Sequence, residues 1–189
     1  KLYHYGIRGT IHDWFRSYLT DRTQFVDVNT VHSRTEFVRC GVPQGSSLGP
    51  LLFILYINDL PNATKNGDMR LFADDTNHFI RSKAYNTLQA EAETEFRNII
   101  SWMNSNHLTI NYKKTNFTVF SPKGNTVLQQ YFNSIQVDTR QIFKTEKIKF
   151  LGIIIDEHLN WKEHIAYVCN RVKKLSSIFF KVRYKISAP

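Results

Sequence analysis

Apolar positions recur along this chain with two periods, near 3.6 and near 2, and the switches between them lay out its elements. Ile11, Trp14, Phe15, Tyr18 and Leu19 fall at spacings of 3, 1, 3 and 1 after Gly9-Thr10. That repeat predicts an amphipathic helix whose aromatic face packs in a core. Residues 23–28 and 35–40 are strand-like runs joined by the polar stretch 29–34, and together they predict a hairpin. The run 51–57 is apolar nearly all round and predicts a buried helix, ended by Asp59 beside Pro61. Within residues 69–80, Leu71-Phe72 and Phe79-Ile80 flank Asp74-Asp75, as in a hairpin that carries both carboxylates at its tip.

The second half follows the same logic. Leu88, Ala92, Phe96, Ile99, Ile100 and Met103 keep to one face of a long helix, with Glu91, Glu93 and Glu95 in its N-terminal half, where the helix dipole favours acids. Residues 108–120 read as strand, turn, strand around Asn111-Tyr112-Lys113-Lys114-Thr115. Residues 124–141 are poorly patterned, with short strand candidates such as 135–137. The run 148–155 is apolar enough to predict one strand covered on both faces. Last, Trp161, Ile165, Val168, Val172, Leu175, Phe179 and Val182 recur at 4, 3, 4, 3, 4 and 3. A continuous helix of that length spans about 33 Å at the standard rise.

Charge changes the picture most. The 189 residues are 42% hydrophobic and 22% charged, the balance of a folded domain or most of one, and not of a disordered chain. The net charge of +9 is uneven: residues 140–189 hold 11 Lys/Arg against 4 Asp/Glu, so +7 lies in the last quarter. A concentrated basic segment points to a polyanion, with nucleic acid the leading partner and a solvated basic surface the plain alternative. The 14% aromatic content suits either dense packing or base stacking. Cys40 and Cys169 are too few for a disulfide framework or a thiolate zinc site, and a reducing compartment is expected. No run reaches the 18 apolar residues of a membrane-spanning helix, so no membrane partner is expected. The chain opens with Lys1 and no signal peptide, and is expected to be a piece of something longer.

Two stretches carry candidate chemistry. Two carboxylates about 4 Å apart repel by roughly 1 kcal/mol in water and roughly 4 at an effective dielectric of 20. A cation between Asp74 and Asp75 relieves that cost, and Mg²⁺ suits it, taking one or two carboxylates and leaving positions for phosphates. Solvated turn acids are the plain alternative. The loop Gly41-Val42-Pro43-Gln44-Gly45-Ser46-Ser47-Leu48-Gly49-Pro50 is rich in Gly, Pro and Ser and leads into a helix. Its N–H groups and the helix dipole suit a phosphate or nucleotide, although it lacks a P-loop lysine and the dinucleotide fingerprint.

Taken in order, these motifs resemble a known family. Tyr5-Gly6-Ile7-Arg8-Gly9, Trp14-Phe15-Arg16-Ser17-Tyr18-Leu19 and Arg22-Thr23-Gln24-Phe25-Val26 come first, then the loop at 41–53 and Phe72-Ala73-Asp74-Asp75. Asn111-Tyr112-Lys113-Lys114-Thr115 follows, and then Phe150-Leu151-Gly152 with Asp156, Leu159, Trp161 and His164-Ile165. Together they resemble the reverse transcriptases of non-LTR retrotransposons, most closely the jockey-like branch, over essentially the whole chain.

The resemblance implies an α+β palm subdomain of a right-hand polymerase, an antiparallel sheet backed by helices. It implies a partial palm at residues 1–145, with the primer-grip region and start of the thumb at 146–189. The implied activity is RNA-directed DNA polymerisation, with an RNA template, a DNA primer and dNTP as partners, in the nucleus and cytoplasm of the host cell. Two Mg²⁺ ions, or Mn²⁺, would serve phosphoryl transfer to a primer 3′-OH. Asp74 is the implied direct ligand and Asp75 the second hairpin carboxylate. Gln44 and Gly45 would border the incoming nucleotide and template base, with Phe72 also on the substrate side. Lys114 would sit near the triphosphate as charge stabiliser or proton donor, its plain alternative being an exposed turn lysine. Arg171, Lys173 and Lys174 would lie along the duplex backbone, binding phosphates without reading sequence.

One departure counts against activity. The family's third carboxylate stands shortly before the segment where Lys1 begins, and Asp13, Asp21, Asp27 and Glu36 do not replace it. The fingers also fall outside the chain, so the chain alone is expected to be inactive. The alternative is a non-catalytic nucleic-acid-binding module derived from such an enzyme. A metal-dependent hydrolase is the poorer reading, because no His or further Asp joins the pair in sequence.

Overall fold

The first periodic stretch forms helix α1 (Gly9–Leu19), as its spacing predicts. It stops where Thr20 turns extended, with the Thr20 N–H and hydroxyl both donating to the Arg16 carbonyl at 3.0 and 2.9 Å. Its aromatic face is not a core: no residue of the helix is buried, and Trp14 stacks on Tyr18 at 5.5 Å between ring centroids. The computed structural model describes residues 1–120 and 133–183, in two compact units, Lys1–Phe79 and Ile80–Pro189.

The predicted hairpin is present but folds back sooner than expected. Strands β1 (Thr23–Gln24) and β4 (Glu36–Phe37) pair antiparallel, and inside them β2 (Asp27–Val28) pairs with β3 (Val31–His32). Asn29 and Thr30 both take positive φ, the mark of a tight two-residue hairpin turn, so the returning strand begins within the polar connector. Helix α2 (Leu48–Ile57) follows the Gly-rich loop with Pro50 in its first turn, and a 3₁₀ turn at Leu60–Ala63 closes it off. Only part of α2 is covered: Gly49, Leu52 and Ile57 are buried, whereas Leu51 and Ile54 are about half exposed. An all-apolar helix was expected to be buried all round, so its uncovered side is a correction. Leu60 and Met69 are the other buried apolar residues among those described in this unit. Strands β5 (Asp68–Phe72) and β6 (Asp75–Phe79) end it as an antiparallel pair.

The second unit is built on α3 (Tyr85–Ser105), which follows the predicted face. Ala92 packs with Ile135 and Val137, and Leu88, Phe96 and Ile100 lie against that cluster together with Ile80, Phe117 and Val119. Ile135 and Val137 come from β7 (Ser134–Val137), which pairs with β8 (Arg140–Phe143). The Glu93 carboxylate also accepts the Gln136 N–H at 3.3 Å, tying helix to strand. Residues 121–132, and with them much of the poorly patterned stretch, lie outside the described residues.

Two strand predictions are corrected here. Residues 108–120 form no paired strands: the Asn111 carbonyl accepts the N–H groups of Lys114 and Thr115 and the Thr115 hydroxyl, taking up backbone groups a ladder would need. Phe117 contributes only a single parallel bridge to Lys144. The run 148–155 is two strands, β9 (Lys147–Phe150) and β10 (Ile153–Asp156), turned at Leu151-Gly152 with both residues at positive φ. Neither strand of this ribbon contains a buried residue.

After β10 comes helix α4 (Lys162–Val182), continuous over its 21 residues. Its apolar stripe is not covered: Ile165, Val172, Leu175 and Phe179 are all more than half exposed. Helices and small antiparallel sheets make the fold α+β, and among the described residues the strands pair two by two.

Candidate active site and nucleic-acid face

The β5–β6 hairpin is positioned by alternation. Met69 is buried and Leu71 half-buried, which turns Arg70 and Phe72 to the exposed side. Five cross-strand pairs run from Asp68 opposite Phe79 to Phe72 opposite Asp75, so Ala73 and Asp74 alone form the turn. Ala73 accepts a φ of +51° to close it. The expectation of a carboxylate-bearing tip is therefore met in this form: Asp74 sits in the turn and Asp75 is the first paired residue after it. Both side chains are exposed, and among the described residues neither makes a hydrogen bond or ion pair. They offer hard oxygen donors of the kind Mg²⁺ prefers. Among the described residues no group of three or more His, Cys, Asp or Glu gathers in a metal-binding arrangement.

Gln44 and Gly45 form the exposed apex of the Gly-rich loop, with Gly45 at φ +79°, a conformation other residues adopt only with strain. The loop's exit is held by Ser46, whose hydroxyl donates to the Pro43 carbonyl at 2.8 Å and accepts the Gly49 N–H at 3.0 Å. Gly49 is tightly placed, because a Cβ there would stand 3.0 Å from Ser46 Oγ and 3.1 Å from the Pro43 carbonyl. This weakens the phosphate reading of the helix start. Of its first N–H groups, that of Gly49 is taken by Ser46, and Pro50 has none.

Lys114 lies exposed in the turn closed on the Asn111 carbonyl, in the second unit. Arg171, Lys173 and Lys174 are exposed on α4. Arg171 lies over the Tyr167 ring at 5.7 Å, and Lys149 from β9 lies over the same ring at 5.6 Å. Asp156 fastens the start of this helix. Its carboxylate accepts backbone N–H groups from His158 at 3.0 Å, Asn160 at 2.9 Å and Trp161 at 3.2 Å. Desolvation pushes that carboxyl upward, but the three N–H donors outweigh it and hold the acid below its ordinary value. A hydrogen bond from Lys147 to Glu163 at 2.8 Å ties β9 to the first turn of α4 and raises the lysine above its usual range.

The structure thus brings Phe72, Asp74 and Asp75 together on one hairpin, with Gln44 and Gly45 in the same compact unit. Lys114 and the three helix cations belong to the other unit. Sequence reasoning gave no role to Ser46, Tyr167 or Arg22. Ser46 had a signal, a hydroxyl three residues before the Gly49 N–H it caps. Tyr167 had one too, four residues before Arg171 and so on the same helix face.

A family model described as reverse transcriptase (RNA-dependent DNA polymerase) matches residues 1–155. Among curated proteins, the chain is 29% identical over 162 residues to the probable RNA-directed DNA polymerase from transposon X-element of Drosophila melanogaster, covering 84% of this chain and 17% of that protein. It is 30% identical over 163 residues to the probable RNA-directed DNA polymerase from transposon BS of the same species, covering 82% and 18%. The RNA-directed DNA polymerase from mobile element jockey, also from Drosophila melanogaster, matches at 26% over 160 residues, covering 81% and 17%. The chain spans less than a fifth of the length of these relatives. No solved structure matches it.

Proposed function

This chain belongs to the reverse transcriptase (RNA-dependent DNA polymerase) family, and from that premise we propose that it is the catalytic-hairpin part of an RNA-directed DNA polymerase of a non-LTR element. The observation that carries the proposal is the hairpin tip: two adjacent carboxylates, exposed and without partners among the described residues, on a two-residue turn. On this reading residues 1–145 are a partial palm, and residues 146–189 the primer-grip region and start of the thumb; residues 184–189 lie outside the described residues.

Two divalent ions, when bound, would activate a primer 3′-oxygen and stabilise the leaving pyrophosphate. Asp74 and Asp75 would hold them through carboxylate oxygens, with Mg²⁺ the expected ion and Mn²⁺ a substitute. Gln44 and the bare backbone of Gly45 would border the nucleotide and its template base, and Phe72, on the exposed side of β5, would bound the substrate. Lys114 would offset triphosphate charge. Arg171, Lys173 and Lys174 would meet duplex phosphates, and Tyr167 would hold the Arg171 guanidinium in place. The partners are an RNA template, a primer and dNTP.

Primer extension on an RNA template tests this, using the polymerase from which the chain derives. Incorporation of dNTP should require Mg²⁺ or Mn²⁺ and should vanish in D74N and in D75N. A parent protein that binds primer–template but extends nothing would favour the alternative, a nucleic-acid-binding module without catalysis.

A further inference from the structure

The loop that carries Gln44 and Gly45 is anchored at its root by one side chain from outside it. Arg22 stands between the end of α1 and the start of β1 and is part-buried. Its Nε donates to the Leu19 carbonyl at 3.2 Å, and its Nη2 donates to the carbonyls of Gly41 at 2.6 Å and Cys40 at 3.4 Å. The Arg22 carbonyl in turn accepts the Val38 N–H at 2.8 Å, one step beyond the β1–β4 pairing. One residue therefore joins the last turn of α1, the stem of the hairpin and the first residue of the loop. Among the described residues no carboxylate pairs with it, so the guanidinium is directed wholly at carbonyls.

We infer that Arg22 is a positioning residue: by fixing Cys40 and Gly41 while Ser46 fixes the loop's exit, it sets where Gln44 and Gly45 meet the nucleotide. The inference rests on the substrate role proposed above for those two residues. Arginine suits the task because its planar fork reaches acceptors on two sides at once, which the single point charge of lysine cannot. Loss of the fork leaves the loop held at one end, which loosens the border of the nucleotide while leaving the β5–β6 carboxylates where they are. A rooted loop acts chiefly on nucleotide placement, so the deficit falls on KM for dNTP.

The test pairs kinetics with hydrogen exchange. In the parent polymerase, R22A should raise KM for dNTP by about tenfold, the scale of one lost charge-assisted hydrogen bond, with kcat within about threefold. R22K, which can still reach the Gly41 carbonyl, should recover part of that loss. In the chain described here, amide exchange in R22A should quicken at residues 40–45 and stay unchanged in the β5–β6 hairpin. An unaltered KM in an active R22A enzyme overturns the inference. So does exchange that rises equally through β5–β6, because Arg22 would then be a general stabiliser. Failure of the unmodified parent to extend a primer would strike the polymerase reading instead.

Discussion

Asp74 and Asp75 are neighbours in sequence but not equivalents in structure, since one closes a turn and the other opens a strand. A cation held by both should therefore act on the hairpin tip and leave the base of β5 and β6 unaffected. Titration with Mn²⁺ should broaden the resonances of residues 72–76 first, and Asp74→Asn with Asp75→Asn should remove that preference. Equal broadening in the double mutant would detach metal binding from this hairpin. Gly67 shows the same dependence on local backbone. It sits at φ +93°, and a Cβ added there would collide with the Phe79 carbonyl and stand 2.9 Å from the His78 ring. Gly67→Ala should cost roughly 2–6 kcal/mol, the sum of left-handed strain and overpacking, read as a lower denaturant midpoint. The acid pair was legible in the sequence because apolar runs bracket it. Arg22 was not, because its acceptors are carbonyls brought to it by the path of the backbone, and carbonyls carry no residue identity.

Helices were the most legible elements, for a physical reason. A 3.6-residue repeat over the 21 residues of α3 or α4 leaves little room for another reading, and both formed as expected. Strands were less so. A largely apolar run at 148–155 hid the turn at Leu151-Gly152, because only backbone dihedrals distinguish a turning glycine from one inside a strand. The Asp156 carboxylate, which gathers three N–H groups of the segment leading into α4, then makes that approach sensitive to acid. Its carboxyl is held below the ordinary 3.8, so the folded form is favoured wherever the charge is present. That contribution is complete above about pH 4–5 and is lost as pH falls through the depressed value. Asp156→Ala should lower stability at pH 7, and the gap from the unmodified chain should close below pH 4. A gap that persists in acid would mean that Asp156 acts without its charge. The exposed cations of α4 lead to a further expectation. If roughly four to six phosphates of a duplex are neutralised, the log–log salt slope of binding is about −4 to −5. Replacing Arg171, Lys173 and Lys174 with glutamine should flatten that slope by up to about 3, and an unchanged slope would take this helix out of the footprint.

At the scale of the whole molecule, the question is how much of a polymerase a chain of this extent can be. Family membership is secure over residues 1–155, while the chain covers less than a fifth of its curated relatives. The proposed metal centre rests on the two hairpin carboxylates, Asp74 and Asp75. Two divalent ions bring a charge of +4, and a nucleotide triphosphate offsets only part of their demand for anionic oxygen. A carboxylate from another strand would have to fix both ions at once, and metal sites lose function when their nearest ligands are left loose. Because the family's pattern includes a third carboxylate that Asp13, Asp21, Asp27 and Glu36 do not replace, we propose that residues 1–189 bind duplex through their basic segment without polymerising. Primer extension on an RNA template decides this, comparing residues 1–189 with a protein extended upstream through the neighbouring segment of the parent. The longer protein should extend the primer, while the shorter one should fall below it by well over 100-fold, the scale of a misplaced reacting group. Extension by residues 1–189 within about tenfold of the longer protein would mean that the active site is complete without an upstream carboxylate. The pair at the hairpin tip would then need a different third ligand from within this chain.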